Sequence, residues 1–294
     1  MRAFRAVVEL RSFKRAGTRL DMGGSAVSKL IAGLEQDLGA LLLQRTTRRL
    51  ALTEAGETFY ESVVRVLDET DLAVDRLREQ GGQPQGLLRV AVPTSFALRW
   101  LSSRVPDFLV RHPGLRLDLS LNDRYVDLIA ERFDCALRIG SDLPDASIYA
   151  RRLGTIPRVL VAAPRYLKSA PRLATPSDLS EHQALVYSLA RTGNDWPFVV
   201  DGKPLRVQVS GRLQADNGAM LRDALLAGMG LCLTPHFVVQ DLLQTRKLVP
   251  LLPDCMPAPL VVWGVTTARR HLPLKTESFL AFVQAELHDS GYVA

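Results

Sequence analysis

A run of guanidinium and hydroxyl side chains between residues 45 and 49 is the part of the sequence best suited to binding phosphate. The run reads Arg45, Thr46, Thr47, Arg48 and Arg49. Arginine and threonine side chains donate hydrogen bonds to phosphate oxygens, and arginine also enters a narrow minor groove of DNA. The sequence therefore predicts a segment that binds a nucleic-acid backbone.

An amphipathic helix is predicted immediately before this run. Its apolar residues recur at steps of three and four and would form one stripe facing a core: Val27, Leu30, Ile31, Leu34 and Leu38. Gly39 then provides a typical helix end. The first residues of the helix are small or polar, which lets a helix enter the major groove deeply. The residues expected to reach base edges are Gly24, Ser25, Ala26, Ser28 and Lys29.

Two shorter helices are predicted upstream, separated from the third by a tight turn over residues 21 to 24. Their core faces are predicted to be Phe4, Val7 and Val8 in the first, and Phe13, Ala16 and Leu20 in the second. Two helices joined by such a turn define a helix-turn-helix. Downstream, residues 50 to 53 are predicted to return as a strand, with Thr53 as the N-cap of the next helix.

The net charge of the chain is concentrated in this segment. Residues 1 to 50 hold ten basic and four acidic residues, which leaves 27 of each in the remainder, and the whole chain carries a net charge of +6. Release of counterions from phosphates would favour DNA binding by such a segment. A basic cluster alone would fit a solvated surface equally well, and the order of the helices favours DNA.

From about Met1 to Gly56 the chain resembles the DNA-binding domain of the LysR-type transcriptional regulators, above all in SAVSKLIAGLEQDLG followed by LLLQRTTRRLALTEAG. The resemblance implies an α/β fold with an all-α N-terminal part. A winged helix-turn-helix would be followed by a long dimer-forming linker helix and a two-subdomain α/β domain of periplasmic-binding-protein type that senses a small molecule.

Three features depart from the family pattern. Members usually carry a serine at the position of Gly23, and often glutamine or proline at that of Gly24, so a helix cap and a base contact are missing here. Members also usually have several residues before the first helix. This chain opens directly on Met1, which would fit an internal start.

Residues 57 to 80 are predicted to form the linker helix, and residues 81 to 86, GGQPQG, a hinge. The apolar seam of the helix is predicted to comprise Phe59, Val63, Val66, Thr70, Val74 and Leu77. A helix of this length cannot bury that seam alone, so we expect it to pair with the same helix of a second subunit. The alternative is that the seam packs only against its own domain.

Residues 87 to 294 are predicted to form the effector-binding domain, with subdomain I over 87–162 and 265–294 and subdomain II over 163–264. Predicted strands alternate with helices, which argues for a parallel sheet with crossovers. Helices are expected over 126–131, 218–227 and 274–287, and strands over 87–92, 115–121, 135–139, 158–163, 185–188, 207–213, 231–234 and 261–266.

Junctions between a strand end and a helix start are where such sheets bind ligands. Hydroxyl, amide and backbone N–H donors at these junctions suit an anionic group, and Arg138 could add a charge-assisted contact. The candidate effector-binding residues are Pro93, Thr94, Ser95, Phe96, Arg138, Asp216, Asn217, Thr234 and His236. For Thr94, Ser95 and Asn217, helix capping is an equally good explanation.

Catalysis finds little support in the sequence, so we expect no catalytic residue, no metal site and no cofactor. The five histidines are far apart and share no metal-ligand spacing. His236 is the one at a predicted junction, where a structural or ligand-orienting role is favoured over catalysis. Cys135 and Cys232 lie in apolar runs and are expected to be buried free thiols. Neither a signal peptide nor a run of about 18 apolar residues is present, which predicts a cytoplasmic protein without a membrane segment.

The sequence thus predicts a DNA-binding transcriptional regulator whose binding to promoters is modulated by a small anionic effector. Its expected partners are double-stranded DNA, the effector, and a second copy in a homodimer that pairs into a dimer of dimers, with RNA polymerase as a further candidate. Two other classes stay open: a solute-binding protein, and an enzyme on the same α/β scaffold.

Overall fold

The computed structural model describes residues 1–45, 50–78, 83–141, 149–267 and 272–292. The chain divides into two compact units, Met1–Gly81 and Gly82–Ala294.

Four helices and a small antiparallel ribbon make up the N-terminal unit. In chain order these are α1 (Arg2–Leu10), α2 (Phe13–Arg19), α3 (Gly24–Leu38), β1 (Leu43–Arg45), β2 (Leu50–Leu52) and α4 (Glu54–Arg78). The core of the unit brings the predicted residues of the first three helices together around Phe4, Val7, Ala16, Val27 and Ile31. This arrangement confirms the predicted order of a helix-turn-helix followed by a two-stranded wing.

The predicted apolar stripe of α3 is wider than the face that is buried. Val27 and Ile31 are buried and Leu34 is half-buried, whereas Leu30 and Leu38 are 52% and 44% exposed. Leu30 lies at the edge of the stripe, and Leu38 lies in the last turn. Because α3 packs only against a narrow line on α1 and α2, the prediction was wrong for these two residues.

The predicted seam of the linker helix α4 divides into two parts. Phe59, Tyr60, Val63 and Leu67 belong to the core of the N-terminal unit, with the Phe4 and Phe59 rings 5.7 Å apart. Val66, by contrast, is 50% exposed. The first part of α4 therefore packs against its own domain, because the small three-helix unit needs the helix to complete its core. Val74 and Leu77 lie in the last turns of α4, where side chains are outside the described residues.

Two five-stranded sheets, each flanked by helices, form the C-terminal unit. The first sheet has the order β4-β3-β5-β14-β6, formed by Leu115–Leu121, Gly86–Val92, Cys135–Gly140, Leu260–Thr266 and Tyr149–Ile156. The second has the order β11-β8-β12-β7-β13, formed by Ser210–Ala215, Gln183–Tyr187, Leu231–Pro235, Arg158–Ala162 and Val249–Leu251. A separate hairpin joins β9 (Asp195–Val200) to β10 (Lys203–Gln208).

The helices of this unit lie between the strands in sequence. They are α5 (Thr94–Phe96), which continues into a π-helical turn at Ala97–Leu101, α6 (Val105–Arg111), α7 (Pro164–Leu167), α8 (Gly218–Leu226), α9 (His236–Gln244) and α10 (Leu274–Asp289). Single 3₁₀ turns occur at Pro176–Glu181 and Pro253–Cys255. The helices α5, α6, α8, α9 and α10 share one apolar core with the sheets.

The sheets are mixed, which corrects the prediction of a parallel sheet. β3 pairs in parallel with β4 and β5, but β14 is antiparallel to both β5 and β6. β7 likewise pairs in antiparallel fashion with β12 and β13. The antiparallel strands arise because the chain passes from one sheet to the other near Pro157 and returns before Leu260.

These crossings also correct the predicted boundaries of the subdomains. β7 belongs to the second sheet and β14 to the first, whereas boundaries at 162/163 and 264/265 assign β7 to subdomain I and divide β14. A strand at a crossing carries the same apolar pattern in either sheet, so hydrophobicity alone does not locate the boundary.

Two predicted elements have a different form. Residues 126–131 are not helical: the Asp127 carboxylate accepts the N–H groups of Ile129 and Ala130 at 2.9 and 3.0 Å, which stabilises a turn. The predicted strand 207–213 is interrupted at Val209, where β10 of the hairpin ends and β11 of the second sheet begins. Among the described residues, no helix is both long enough and apolar enough to cross a membrane.

Candidate DNA-binding surface and effector cavity

The turn between α2 and α3 depends on a glycine that the sequence analysis did not single out. A Cβ on Gly17 would lie 2.6 Å from the carbonyl oxygen of Met22. The Met22 N–H donates to the Gly17 carbonyl at 2.9 Å, which closes the turn. A side chain at position 17 would therefore force α3 away from α2.

The N-terminal end of α3 presents small side chains and has no side-chain cap. Gly23 occupies the N-cap position without a side-chain hydrogen bond, as the departure from the family pattern predicted. Ser25, Ala26 and Lys29 are exposed, and Gly24 and Ser28 are half-buried. Such an end leaves N–H groups available for an anionic ligand such as a phosphate.

The wing is joined to α3 by hydrogen bonds and packs closely against the start of α4. Glu35 of α3 accepts the N–H groups of Leu42 and Leu43 at 2.8 and 3.0 Å. Thr53 caps α4, because its hydroxyl accepts the Gly56 N–H at 2.9 Å. A Cβ on Gly56 would overlap the Leu42 carbonyl oxygen, so the wing can approach α4 only over a glycine. Arg45 ends β1, and the predicted phosphate-binding residues Thr46, Thr47, Arg48 and Arg49 lie outside the described residues.

A cavity of about 470 Å³ lies between the two sheets of the C-terminal unit. This volume falls in the range of small-molecule sites. Of the predicted effector-binding residues, five line the cavity: Pro93, Ser95, Phe96, Arg138 and Thr234. The strand ends of both sheets therefore meet at one site, as expected of this type of sheet.

The other four predicted effector-binding residues do not line the cavity. Thr94 donates its N–H to Asp123 at 2.9 Å, and Asn217 caps α8 by accepting the Ala219 N–H at 2.9 Å. The half-exposed Asp216 carboxylate lies 3.8 Å from the Arg124 guanidinium. His236 Nδ1 lies 3.3 Å from the Tyr292 hydroxyl, and burial lowers the pKa of this histidine. Their neighbours in the sequence contact the cavity, but these side chains are directed to other partners.

Arg138 is the most unusual group in the cavity wall. Both terminal nitrogens of its guanidinium are buried and have no hydrogen-bond partner among the residues that the structure describes. The guanidinium lies 5.3 Å from the centre of the Tyr125 ring, and burial lowers its pKa. The Ser95 hydroxyl is also buried without a partner in the same part of the chain. A buried donor without an acceptor costs about 1–3 kcal/mol, and an anionic ligand could accept hydrogen bonds from both groups.

An acidic side chain, Asp123, also lines the cavity. Burial raises the pKa of its carboxyl group, an effect that the hydrogen bond from the Thr94 N–H opposes. Arg158 contributes a further cation, whose Nε and Nη2 donate to the Ala258 carbonyl at 3.1 and 2.7 Å. The wall is therefore mainly cationic, with one carboxylate placed to oppose or to orient a bound anion.

The hairpin β9–β10 supplies a cavity wall that the sequence analysis missed. Trp196, Pro197 and Arg206 of this hairpin line the cavity. Its two-residue turn is Asp201-Gly202, with φ of +50° and +74°. An Asp-Gly pair between two apolar runs is a strong hairpin signal, and this feature of the sequence could have revealed the wall.

The predicted state of the cysteines is confirmed for the two in apolar runs. Cys135 and Cys232 are free and buried. Burial raises the pKa of Cys232, which lines the cavity, to about 12, so its thiol is protonated and a poor nucleophile at neutral pH. Burial raises the pKa of Cys135 as well.

Comparison with known proteins gives two family matches that together cover most of the chain. Residues 1–57 match the bacterial regulatory helix-turn-helix protein of the lysR family, and residues 81–288 match the LysR substrate binding domain. The chain belongs to the LysR family. The resemblance seen in the first 56 residues therefore extends through the cavity-bearing unit.

Relatives of this LysR-family protein include named regulators and solved full-length structures. The HTH-type transcriptional activator AaeR of Escherichia coli is 34% identical over 94% of this chain and 89% of its own length. The HTH-type transcriptional regulator PtxR of Pseudomonas aeruginosa is 32% identical over 97% and 91%. The structure of CrgA, a LysR-type regulator from Neisseria meningitidis, aligns with a TM-score of 0.62 and 32% identity over 97% of each chain. The LysR-family chain is thus a DNA-binding transcriptional regulator with an effector-binding domain.

Proposed function

We propose that a small organic anion bound in the 470 Å³ cavity modulates sequence-specific DNA binding by the N-terminal unit. The observation that carries this proposal is the Arg138 guanidinium, whose buried terminal nitrogens have no acceptor among the described residues. A carboxylate at this position would supply both the charge and the hydrogen bonds that the guanidinium lacks. The Ser95 hydroxyl at the start of α5 would be the second donor to the same group.

On the DNA side, α3 would enter the major groove with Ser25, Ser28 and Lys29 toward the bases. Arg45, Arg48 and Arg49 would contact phosphates or the minor groove. Dimerisation through α4 would set the spacing of two half-sites. Pairing of dimers and contact with RNA polymerase remain expectations from the family resemblance, and action in the cytoplasm follows from DNA as the target. No group of three or more potential metal ligands occurs among the described residues.

Thermal unfolding of the full chain with a panel of acetate, succinate, benzoate and phenylacetate tests the proposal. A ligand at 100 times its Kd stabilises the folded state by about 2.7 kcal/mol, which is readily seen as a rise in Tm. At least one acid should raise the Tm of the unchanged protein, and Arg138→Met should remove that rise. The unliganded Arg138→Met variant should be no less stable, since it loses a guanidinium whose buried terminal nitrogens have no hydrogen-bond acceptor among the described residues. A panel without effect, or an equal effect on both proteins, would refute the proposal.

A further inference from the structure

Arg138 and Trp263 are directly opposed in the first sheet. They are paired residues of the antiparallel strands β5 and β14. Directly opposed residues project their side chains from the same face, with Cβ atoms about 4.5–5.5 Å apart. The register of the sheet therefore places an indole ring beside the guanidinium in the cavity wall.

The indole of Trp263, like the guanidinium of Arg138, has a buried N–H donor without a hydrogen-bond partner in the described part of the chain. Trp263 lines the cavity, and its Nε1 is buried without a hydrogen-bond partner among the described residues. Trp263 packs against a cluster of buried apolar residues that includes Ala136 and Val265. These neighbours offer no side-chain acceptor. Two adjacent residues that line the cavity thus hold buried N–H donors without an acceptor among the described residues.

We propose that Trp263 is a specificity-determining residue, whose Nε1–H binds the carboxylate of the effector together with the guanidinium of Arg138. This inference rests on the proposed function, because it needs the cavity to be the effector site. The guanidinium supplies the charge and the indole adds a donor of fixed direction. Since an indole N–H can donate but not accept, it selects for an acceptor oxygen at this point.

The rest of the cavity defines the body of the ligand. Its walls carry the rings of Phe96, Tyr187, Trp196 and Phe237, and its volume is about 470 Å³. Aromatic walls favour a flat apolar group, which they can stack against. The ligand class is therefore a carboxylate on a ring-sized apolar body, rather than a wholly polar diacid.

Isothermal titration calorimetry on the full chain tests this inference, with benzoate, phenylacetate, succinate and the neutral benzyl alcohol as probes. Trp263→Phe keeps an aromatic ring and removes the N–H. A hydrogen bond to a charged acceptor is worth a factor of about 10 to 100 in affinity, so the variant should weaken binding of the aromatic acids by that factor. Its affinity for benzyl alcohol should change much less.

Trp100→Phe is the matched control. Trp100 also has a buried Nε1 without a partner among the described residues, but it does not line the cavity, and its ring stacks on Phe96 at 4.7 Å. The same chemical change there should leave the affinity for the acids unchanged. If Trp263→Phe binds the acids as tightly as the unchanged protein does, or if succinate is the preferred acid, the inference is wrong. Loss of binding in Arg138→Met would still uphold the proposed function.

A second measurement does not require the Trp263 variant to fold. The chain has three tryptophans, at 100, 196 and 263. Trp100→Phe and Trp196→Phe assign two of the three indole N–H signals in a ¹H–¹⁵N spectrum, and the remaining signal belongs to Trp263. Benzoate should move that signal downfield, as expected when an N–H gains a carboxylate acceptor. A Trp263 signal that stays in place while benzoate binds would contradict the inference.

Discussion

At the scale of single residues, the cavity wall combines charges of opposite sign. Arg138 has a buried guanidinium, and Asp123 has a carboxyl group whose pKa is raised by burial. An ionised Asp123 repels a bound anion, while Arg138 attracts it. The protonation state of Asp123 should therefore influence how strongly the cavity binds an acid.

Affinity for an organic anion should rise as the pH falls toward the raised pKa of Asp123. The sign follows from the direction of the shift: a carboxyl group with a raised pKa takes up a proton at a higher pH than usual, and its negative charge is then lost. Asp123→Asn should bind the acid severalfold more tightly at neutral pH and should lose this part of the pH dependence. Calorimetric titrations between pH 5 and 8, at about unit intervals, measure both effects. Parallel pH profiles for the two proteins would contradict this role.

Some residues of the cavity wall could be predicted from the sequence, and others could not. Ser95 and Arg138 could be predicted because Ser95 follows the end of β3 and Arg138 lies near the end of β5. Trp263 could not, since its place depends on which strands pair and in what register, whereas Asp123 follows the end of β4 and was overlooked. The pairing of β14 with β5 joins residues more than 120 positions apart, as Trp263 and Arg138 show. Local periodicity carries no information about such a pairing.

At the scale of elements, the glycines at the two ends of α3 differ in whether their backbone conformation accepts a side chain. Gly23 at the N-cap has φ of −69° and ψ of 146°, and a Cβ there would come no closer than 3.7 Å to the Ser25 Oγ. Gly39 at the C-cap has φ of +64°, a left-handed conformation that disfavours a side chain.

Gly23→Ser should therefore stabilise the N-terminal unit by a few tenths of a kcal/mol, because the serine hydroxyl can cap the free N–H groups of α3. Gly39→Ser, the matched change at the other end, should cost about 1–2 kcal/mol because of its positive φ. Urea unfolding of the full chain, followed by the signal of the N-terminal transition, compares the two. Stabilisation of both variants, or of neither, would show that these caps do not control the helix.

The linker helix α4 has an exposed apolar residue, Val66, where a second copy of the helix could pack. Val66 is exposed on α4, whereas its neighbours Val63 and Leu67 are buried in the domain. Val66→Lys should weaken the dimer about tenfold, since burying a valine contributes about 1.5 kcal/mol or more. Glu61→Lys, on the opposite face of the same helix, is the control and should leave the dimer intact. Sedimentation equilibrium measures both, and equal effects would remove Val66 from the interface.

Periodicity predicted the helix α4, but not which of its apolar residues pack against the domain. Val63 and Val66 belong to the same apolar spacing, yet Val63 packs within the domain and Val66 is exposed. Whether an apolar residue of α4 is buried or exposed depends on the size of the neighbouring core. The sequence of the helix alone does not contain that information. The β9–β10 hairpin is different, because its Asp-Gly turn alone is sufficient to predict a hairpin from the sequence. That signal was overlooked.

At the scale of the whole molecule, charge and cavity occupy different units. The net charge of +6 equals the excess of basic residues in positions 1–50, and the cavity lies within Gly82–Ala294. DNA affinity should therefore arise mainly in the first unit and ligand selectivity in the second. The two are linked only if a ligand has different affinities for DNA-bound and free forms of the protein.

Footprinting on the DNA upstream of this protein's own gene tests that link most directly. The footprint is compared with and without the acid that raises the Tm most, for the unchanged chain and for Arg138→Met. The acid should change the extent or the affinity of the footprint for the unchanged chain. Arg138→Met should give a footprint that the acid does not alter. An acid that changes both footprints equally, or neither, would contradict control of DNA binding through Arg138.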